Sequence, residues 1–476
     1  MIGFRHVMVG QNYVNEDDKF KLTVSMGAGE TMTIPATGTN NFEINWGDGS
    51  PVDTITSPNP SHIYTLAGSY QIVILGVLPK ISFVNKGEAP NVISVDQWGD
   101  VGFTSFSDSF ATCTNLLSIP IGPITGSTAI NFRQAFLNCP LSSVPSDLFS
   151  LLPDITNLDG TFDGCNLSSL PSDLFSGLSS VTTASSIFKG NSLISLPSGL
   201  LDGLSNIILL SSAFENNVSL TTVPSGLFAN NTQVTSFQNV FKQCGLTSLQ
   251  TDLFTNNTLV TNFAGSLSGN EFAVIPDTLF SSNTLVTTFA SVFDNSRVFT
   301  SIPSNLFVNN TLVTSFAQAF RTCLGLSSIP SELFATNTEV MSFESCFETA
   351  LDMDSIPSGL FSNNIKVTTF EKCFRQTKIT SIPNDLFVNN TLVTNYSRTF
   401  EDTRGGAVTL PTSIFNLSSL SIVTHFTGTF NNGNPRFNGT IQDIWNYATI
   451  ANGSNCFTNQ TDITNYANIP NDWKGL

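Results

Sequence analysis

The feature that most constrains the fold is a repeat of about 27 residues that recurs over most of the 476-residue chain. One copy runs from Ser301 to Cys323 and reads SIPSNLFVNNTLVTSFAQAFRTC. From Pro145 to Pro411 an Ile/Val/Leu-Pro step recurs at a mean spacing of about 26.6 residues, with Gln250 in place of one proline. A fixed period between about 20 and 50 residues is typical of stacked supersecondary units. The sequence therefore predicts a solenoid.

Each repeat combines two β-prone runs with turn chemistry. The run 326–329 ends at Pro330, which has no N–H to give to a ladder. Residues 331–334 are predicted to form a short helical turn capped by a hydroxyl or amide side chain. The segment 309–311 (Asn-Asn-Thr) predicts a turn, because asparagine tolerates left-handed backbone. A second β-prone run follows at 313–316.

An anchoring phenylalanine fills one slot in each repeat, and Leu267 takes its place in one copy. The series is Phe110, Phe136, Phe162, Phe188, Phe214, Phe241, Phe293, Phe320, Phe347, Phe374, Phe400, Phe430 and Phe457. We expect these rings to stack as the core ladder of about 14 coils with a period of 26–27 residues. The predicted chain is mainly β with short helical turns.

Composition and charge argue against two kinds of partner, nucleic acid and the membrane interior. Charged residues make up only 11% of the chain, against about 25% in typical soluble domains, and the net charge is −17. Without a basic cluster, a nucleic-acid partner is not expected. Without an 18-residue apolar run, membrane insertion is not expected either.

The eight cysteines follow the repeat. Five of them lie three residues after an anchoring phenylalanine, a slot that asparagine fills in other copies, and the other three lie one residue before it. This exchange predicts a packed, reduced ladder position. Disulfides between neighbouring copies, such as Cys113 with Cys139, are the alternative, so the cysteines leave the redox compartment open.

The ends of the chain depart from the repeat. Residues 1–18 are an N-terminal arm, either frayed or docked into another subunit, and residues 19–98 have the strand and turn spacing of a small β-sandwich. The solenoid is predicted over 99–433. Residues 434–476 concentrate tryptophan and tyrosine, which favours a capping repeat over a binding patch.

Two motifs carry a resemblance to known families. Asn45–Gly49 (NWGDG), followed by His62–Tyr64 and Gly68–Ile72, resembles a PKD-type Ig-like domain. The repeated Val-Thr-Ser-Phe-x-x-x-Phe-x-x-Cys pattern, with the junction from Ile93 to Cys113, resembles BspA-like leucine-rich repeat surface proteins over roughly residues 30–476. The resemblance implies an Ig-like β-sandwich followed by a leucine-rich-repeat-type solenoid. It also implies surface adhesion, and relatives of this family occur as phage and prophage structural proteins.

No constellation for chemistry is present in the sequence. The three histidines, His6, His62 and His425, lie in different regions, and no nucleophile elbow, HExxH or phosphate-binding loop occurs. Asp48 and Asp53 could ligate calcium, although an aspartate that stabilises a turn is the simpler interpretation. We therefore predict that the chain is not an enzyme and has no catalytic, cofactor or metal site.

Recognition is the remaining class. The Ser-Ile-Pro and Val-Thr-x-Phe runs barely change between repeats, whereas residues just after the anchoring phenylalanine vary and carry charge. This contrast predicts a binding edge, because solenoids commonly hold a scaffold constant and vary one side; a solvated edge that keeps the protein soluble is the alternative. The candidate residues are Lys242, Arg297, Arg321, Glu348, Arg375, Lys378 and Arg404.

These features predict a non-enzymatic protein displayed on a surface. Residues 1–18 show no secretion signal and the segment near Leu476 shows no sorting motif, which favours a phage virion component, a tail fibre or a head or tail decoration. The solenoid would then bind a host-surface glycan or protein, while the arm and the sandwich hold other virion proteins. The alternatives are a bacterial cell-surface adhesin and a purely structural decoration without a receptor.

Overall fold

The computed structural model describes residues 15–433, 437–448 and 451–476, and the chain divides between Leu167 and Ser168 into two compact units. Residues 1–14 of the predicted arm, with His6, lie outside the described residues, as do 434–436 and 449–450 of the predicted cap. The domain limits drawn at residues 18, 98 and 433 stay predictions.

Regular elements are short throughout. The strands are β1 (Phe20–Met26), β2 (Thr31–Thr33), β3 (Ala36–Thr37), β4 (Asn41–Asn45), β5 (Asp53–Ile55), β6 (Ser61–Ile63), β7 (Gly68–Val77), β8 (Lys80–Ile81), β9 (Val92–Gln97), β10 (Val408–Leu410) and β11 (Phe437–Gly439). The 3-10 helices are η1 (Glu16–Asp18), η2 (Ala89–Asn91), η3 (Leu417–Ile422), η4 (Ile444–Asn446) and η5 (Tyr466–Asn468), and one α-helix, α1, covers Asn471–Lys474. The prediction of a mainly β chain with few helices is confirmed. In the described part of the chain, no helix is long and apolar enough to cross a bilayer.

The first unit is built on a five-stranded antiparallel sheet in the order β5-β4-β7-β1-β9. Along β1 the apolar side chains of Phe20, Leu22 and Val24 are buried, with less buried residues between them, as expected for a sheet with one covered face. Two short antiparallel pairs, β2 with β6 and β3 with β8, complete the region. The Ig-like classification of this region stays a prediction.

The edge strand β9 is covered by the first coil of the same unit. Ser94 forms a parallel bridge with Ser118, the Val95 N–H donates to the Ser118 carbonyl at 3.1 Å, and the Leu117 N–H donates to the Ile93 carbonyl at 3.0 Å. An exposed sheet edge offers unpaired backbone groups to other chains. Here the repeat itself occupies that edge.

In the second unit, neighbouring coils meet through parallel bridges that are mostly one residue long. Ser315, for example, bridges both Thr288 and Ser342. The β-prone runs of the sequence are therefore much shorter as strands than their composition indicates. The reason is local: the Ser315 hydroxyl accepts the Ala317 N–H at 3.2 Å, which turns the chain immediately after the bridge.

The turns around each anchoring phenylalanine also bond to the next coil. Alternate N–H groups donate across the gap: Phe316 to the Ser342 carbonyl at 3.1 Å, Gln318 to Glu344 at 2.8 Å, Phe320 to Cys346 at 2.9 Å and Thr322 to Glu348 at 2.7 Å. Gln318 and Thr322 have φ of 59° and 57°, so both are left-handed. A segment made of turns can therefore bond to the next coil much as a β-strand bonds to its neighbour, because every second N–H points at that coil.

A buried asparagine file joins the coils on their other side. Its members, 0–2% exposed, are Asn231, Asn257, Asn283, Asn310, Asn337, Asn364 and Asn390. The Asn310 amide donates to the Phe280 carbonyl at 3.2 Å and to the Asn283 carbonyl at 2.9 Å. This differs from the turn role predicted for the second asparagine of the Asn-Asn pair, since the side chain satisfies buried carbonyls instead of supporting left-handed backbone.

The core contains three files of aromatic rings. The anchoring rings are buried and stack coil on coil, with centroids 5.7 Å apart for Phe110 and Phe136 in the first unit and 5.5 Å for Phe320 and Phe347 in the second. Sequence reasoning missed the other two files. One holds Phe237, Phe263, Phe289, Phe316, Phe343 and Phe370; the other holds Phe228, Phe254, Phe280, Phe307, Phe334, Phe361, Phe387 and Phe415.

These two additional files make the shortest ring contacts in the core. Phe316 lies 4.8 Å from both Phe307 and Phe334, whereas Phe307 lies 6.3 Å from the anchoring Phe320. Each ring of one file thus inserts between two rings of the other in tilted geometry, which aromatic pairs favour. This interlock adds to the backbone hydrogen bonds that join neighbouring coils.

Tryptophans close the aromatic files within each unit. In the first, Trp98 contacts Phe106, Phe110 and Phe136 edge-on. In the second, Trp473 on α1 packs on Phe426 and Phe457 and is 5% exposed. A Cβ on Gly453 would lie 2.0 Å from the Trp473 ring, so this glycine leaves the space that the indole fills.

The asparagine file generates a stability prediction. Asn310→Ala removes the amide donors to the Phe280 and Asn283 carbonyls, each of which keeps one backbone N–H, so we expect the free energy of unfolding to fall by about 1–3 kcal/mol. Urea unfolding followed by circular dichroism measures this change. The matched control is Asn309→Ala, whose exposed amide bonds only to the Ser281 carbonyl at 2.8 Å and whose loss should stay below about 1 kcal/mol. Equal losses in the two variants would contradict a specific role for the buried file.

Candidate functional site

We use the name variable edge for the residues one to seven positions after each anchoring phenylalanine. Its backbone is fixed by tight turns: the Arg321 N–H donates to the Gln318 carbonyl at 3.2 Å and the Cys323 N–H to the Phe320 carbonyl at 3.4 Å. The third position, here Cys323, is buried, whereas the first and second are partly exposed. The repeat therefore presents a regular series of side chains on an unchanging frame.

Most coils place a small hydrogen-bond donor at the buried third position, although Ala350 holds it in one coil. Cys323 Sγ lies 3.2 Å from the Phe293 carbonyl oxygen, the Asn270 amide donates to the Phe241 carbonyl at 2.9 Å, and the Ser296 hydroxyl lies 3.2 Å from the Leu267 carbonyl. Thiol, amide and hydroxyl exchange in this file because each can donate to the carbonyl of the preceding coil. All eight cysteines are free and buried.

Burial also controls the chemistry of these thiols. It raises the pKa of the Cys244 thiol to about 12, so this sulfur stays protonated near neutral pH. The thiolate is the reactive form of cysteine. The file therefore consists of hydrogen-bond donors with little nucleophilic character.

The first position forms a row of charges that alternate in sign along the second unit. Its members are Lys189, Glu215, Lys242, Asp294, Arg321, Glu348, Arg375 and Glu401, interrupted by Ser268 and followed by the uncharged Asn431 and Thr458 in the last two coils. Arg321 contacts both carboxylate oxygens of Asp294 at 2.9 and 2.6 Å. Arg375 lies between two acids, at 2.9 Å from Glu348 and 2.7 Å from Glu401.

These ion pairs divide the candidate binding residues into two groups. Arg321, Glu348 and Arg375 are engaged in pairs between coils, and the acids are only 12–13% exposed. Lys242, Arg297, Lys378 and Arg404 make no ion pair with any other described residue. Arg297 donates through Nε to Asn295 at 2.9 Å, and Lys378 and Arg404 are exposed at the fourth position of neighbouring coils. The charges free to meet a partner are therefore these four.

A groove of about 670 Å³ lies on the same edge, beside Lys242. Its polar wall is supplied by the side chains of Asn216, Gln243, Thr221, Thr247 and Glu271, and its apolar wall by Val218, which is 71% exposed. The coils approach closely here, since a Cβ on Gly245 would lie 2.5 Å from the Val218 carbonyl oxygen. One coil beyond Glu271, Arg297 holds the equivalent fourth position. The groove thus combines amides, hydroxyls, one acid and one apolar side chain, with a cation on each side.

A second polar cluster lies in the first unit, at the Trp46–Gly49 turn. Asp48 accepts the Ser50 N–H at 3.0 Å, and its other oxygen lies 2.7 Å from His62 Nε2. The His62 ring stacks on Trp46 at 5.2 Å, and the Tyr64 hydroxyl donates to the Trp46 carbonyl at 2.8 Å. Asp53 accepts the Trp46 indole N–H at 2.9 Å. Both aspartates are thus occupied in holding the turn.

Neither the cluster nor the rest of the described chain brings together three or more metal-ligating side chains in a group that could hold an ion. His425 is exposed and bridges Asn395 and Asn452 in the parallel ladder of the coils. The Glu401–Asp402 pair contacts Arg375 instead of facing a second carboxylate across a cleft.

The leucine-rich-repeat type of the coils stays a prediction. Neither a family model nor a curated protein matches the sequence. Among solved structures, the Toll–Spatzle complex of Drosophila is similar at a TM-score of 0.40 and 19% identity, over 72% of this chain and 47% of that one.

A second similar structure is the LRR ectodomain of the Arabidopsis thaliana receptor kinase GASSHO1/SCHENGEN3 in complex with CASPARIAN STRIP INTEGRITY FACTOR 2. Its TM-score is 0.30 at 14% identity, over 76% of this chain and 46% of that one. This chain thus spans about half the length of both structures. At these scores the similarity carries no argument about what this chain binds.

Sequence reasoning identified the edge but missed two of its features. The groove arises from close approach of three coils, and no single repeat signals it. The alternation of charge at the first position was readable, since Lys189, Glu215, Arg321, Glu348 and Arg375 differ in sign from coil to coil. Because neighbouring coils stack in register, such alternation indicates ion pairs between coils.

The charge row generates a prediction that separates structural from free cations. Arg375→Met leaves Glu348 and Glu401 without their shared cation, so the free energy of unfolding should fall by about 1–2 kcal/mol at low salt. The loss should shrink at high salt because screening weakens the repulsion between the two acids. Urea unfolding at two salt concentrations measures both effects. Lys378→Met, at an exposed and unpaired position, is the control and should change stability by less than about 0.5 kcal/mol. Equal effects of the two substitutions would contradict the division of the charges.

The Asp48 turn generates a pH prediction. The Ser50 hydroxyl, together with His62, holds the pKa of the Asp48 carboxyl well below its usual range. A carboxyl with a lowered folded-state pKa stabilises the fold above its unfolded pKa of about 4, and that contribution is lost as the pH falls. Thermal unfolding between about pH 6 and pH 2 should therefore show a shallower acid decline in Asp48→Asn than in the unmodified protein. Asp17→Asn, in the exposed helix η1, is the control and should reproduce the unmodified decline. An unchanged decline in Asp48→Asn would rule out this contribution.

Proposed function

We propose that this chain is a non-enzymatic recognition protein that binds a surface glycan or protein through its variable edge. The groove beside Lys242 carries the proposal. It offers amide and hydroxyl groups beside one exposed valine, a combination suited to a ligand with hydroxyl groups and a small apolar face. Lys242 and Arg297 on its two sides favour a ligand that also carries negative charge.

The unpaired cations of the variable edge are better placed to contact a partner than the paired ones. Cations that already contact acids, such as Arg375, would have to break those pairs before meeting a partner. Lys378 and Arg404 stand free in neighbouring coils, where two like charges gain nothing from each other. A partner with acidic groups would stabilise both, so the edge on this proposal extends from the groove toward these two cations.

We also propose where the protein is displayed. The BspA-like repeats, the PKD-like motif and the phage relatives implied by the resemblance support a component of a phage virion. A bacterial cell-surface adhesin is the alternative within the same family. Immunogold labelling of purified particles, and of intact cells without phage, separates the two: particle labelling supports the virion component, and labelling of uninfected cells supports the adhesin.

A purely structural decoration is the second candidate function, and the ion pairs between coils favour it. A charged row that pairs internally stabilises the stack without any receptor. On this alternative, the groove and the free cations would contact nothing when host cells are supplied.

Binding measurements test recognition directly. The full chain is applied to host cells and to a panel of neutral and acidic oligosaccharides, together with two altered proteins. Gln243→Ala with Thr247→Ala removes groove donors, and Lys378→Glu with Arg404→Glu reverses the free cations. We expect either double variant to weaken binding at least about tenfold, since each removes two polar contacts. Lys86→Ala, at an exposed lysine outside the variable edge, is the control and should bind normally. Absence of binding by the unmodified chain, or binding unaffected by both double variants, would favour the decoration.

A further inference from the structure

A separate face of the second unit carries a periodic row of exposed side chains, which we call the leucine row. Its members lie three residues before the bridged residues of neighbouring coils, and the residue after each of them is a buried valine. From the coil bridged at Asn262 to the coil bridged at His425 the row reads Leu259, Leu285, Leu312, Glu339, Lys366, Leu392 and Ile422, whereas the two preceding coils place Asn206 and Gln233 at this position. The leucines and the isoleucine are 40–50% exposed. Each holds a surface position in the parallel ladder of the coils that a polar residue could also occupy.

The residues two positions further along form a neighbouring file whose hydroxyl groups already donate hydrogen bonds within the protein. Thr287, Thr314 and Thr368 each donate their hydroxyl to the backbone carbonyl of the preceding coil, at 3.1 Å in all three cases. Met341 occupies this file beside Glu339 and is 48% exposed. The two files together make a flat apolar face, with one ion pair in the leucine row.

That ion pair lies at the centre of the pattern. Lys366 Nζ contacts both carboxylate oxygens of Glu339, at 2.7 and 2.6 Å, while both side chains remain more than 40% exposed. From this centre the row continues with apolar residues in both directions: Leu312 and Leu285 on one side, Leu392 and Ile422 on the other. From Leu285 to Ile422 the chemistry of the row is thus the same read forward or backward, except that acid and base exchange places; Leu259 has no counterpart among the described residues.

We propose that the leucine row is the self-association face of this protein, where two copies pack antiparallel about a two-fold axis between Glu339 and Lys366. In that arrangement, Glu339 of each copy faces Lys366 of the other, Leu312 faces Leu392, and Leu285 faces Ile422. A two-fold interface must be self-complementary in this way. A parallel arrangement in the same register would place like charges opposite each other, so the central pair selects the antiparallel one.

The size of the face indicates a weak dimer. The six coils that match about the two-fold axis span roughly 24 Å at the strand spacing of about 4.8 Å, and two files two residues apart give a width of about 14 Å with their side chains. Roughly 350 Å² per copy is below the usual size of specific interfaces. We therefore expect a dissociation constant of about 100 µM, with dimers visible only in concentrated solution.

Sedimentation of the full chain over a concentration series tests the proposal. The unmodified protein should pass from monomer to dimer, and Leu312→Glu should weaken the dimer at least about tenfold because it buries a charge against Leu392 of the other copy. The control is Val274→Glu, a change of the same kind at a valine that is 71% exposed outside the leucine row. Circular dichroism confirms that each variant is folded. A protein that stays monomeric at about 100 µM, or a dimer that Leu312→Glu leaves intact, overturns the proposal.

A charge-complementation experiment tests whether the central ion pair lies in the interface. Glu339→Lys alone and Lys366→Glu alone each place four like charges at the centre of a homodimer, so neither variant should self-associate. An equimolar mixture should form heterodimers, because every facing pair is then opposite in sign while both internal pairs remain broken. A mixture that sediments as monomers while the unmodified protein dimerises overturns the placement of Glu339 and Lys366 in the interface.

Discussion

The structure depends on how each coil satisfies its backbone groups. A coil of turns has no ladder within itself, so its N–H and carbonyl groups must bond to the coils on either side. The alternating left-handed residues around Phe320 direct every second N–H at the next coil, and the Asn310 amide adds donors to carbonyls of the preceding coil. Because unpaired buried amides are costly, this requirement fixes the period and the register together.

Side-chain packing reinforces the same register. In the two files that include Phe307 and Phe316, each ring contacts rings of its own coil and of the next. A slip of one residue would separate the hydrogen-bonding slots and the ring contacts at once. The variation that the repeat tolerates is correspondingly narrow in the interior, as the exchange of cysteine, asparagine and serine at one donor position illustrates.

The surface is free of that constraint, and its faces are used differently. On the variable edge, most charges at the first position pair between coils, while a few cations and a groove remain open. On the leucine row, exposed apolar side chains flank one ion pair, and we propose that this face meets a second copy. Stacking in register makes both possible, because a residue type repeated at one position becomes a continuous surface feature.

Much of this fold could be predicted from the sequence. The period, the mainly β character and the buried anchoring phenylalanines follow from spacing, since a residue that recurs at a fixed interval must occupy the same place in each coil. The Cys/Asn slot also indicated a shared position. The Leu-Phe steps at Phe307 and Phe334 recur with the same period, so the additional ring files were within reach of the same reasoning.

The candidate site could be predicted less completely from the sequence. Sequence variation marked the edge, but it could not separate Arg375, held between two acids, from Arg404, which stands free. The groove needs three coils whose backbones approach at Gly245, and the role of Asn310 depends on which carbonyls lie within reach. The sequence by itself determined what recurs and at what interval. Only the tertiary structure decided which recurring groups meet, because contacts between coils depend on distances across the stack that no single repeat contains.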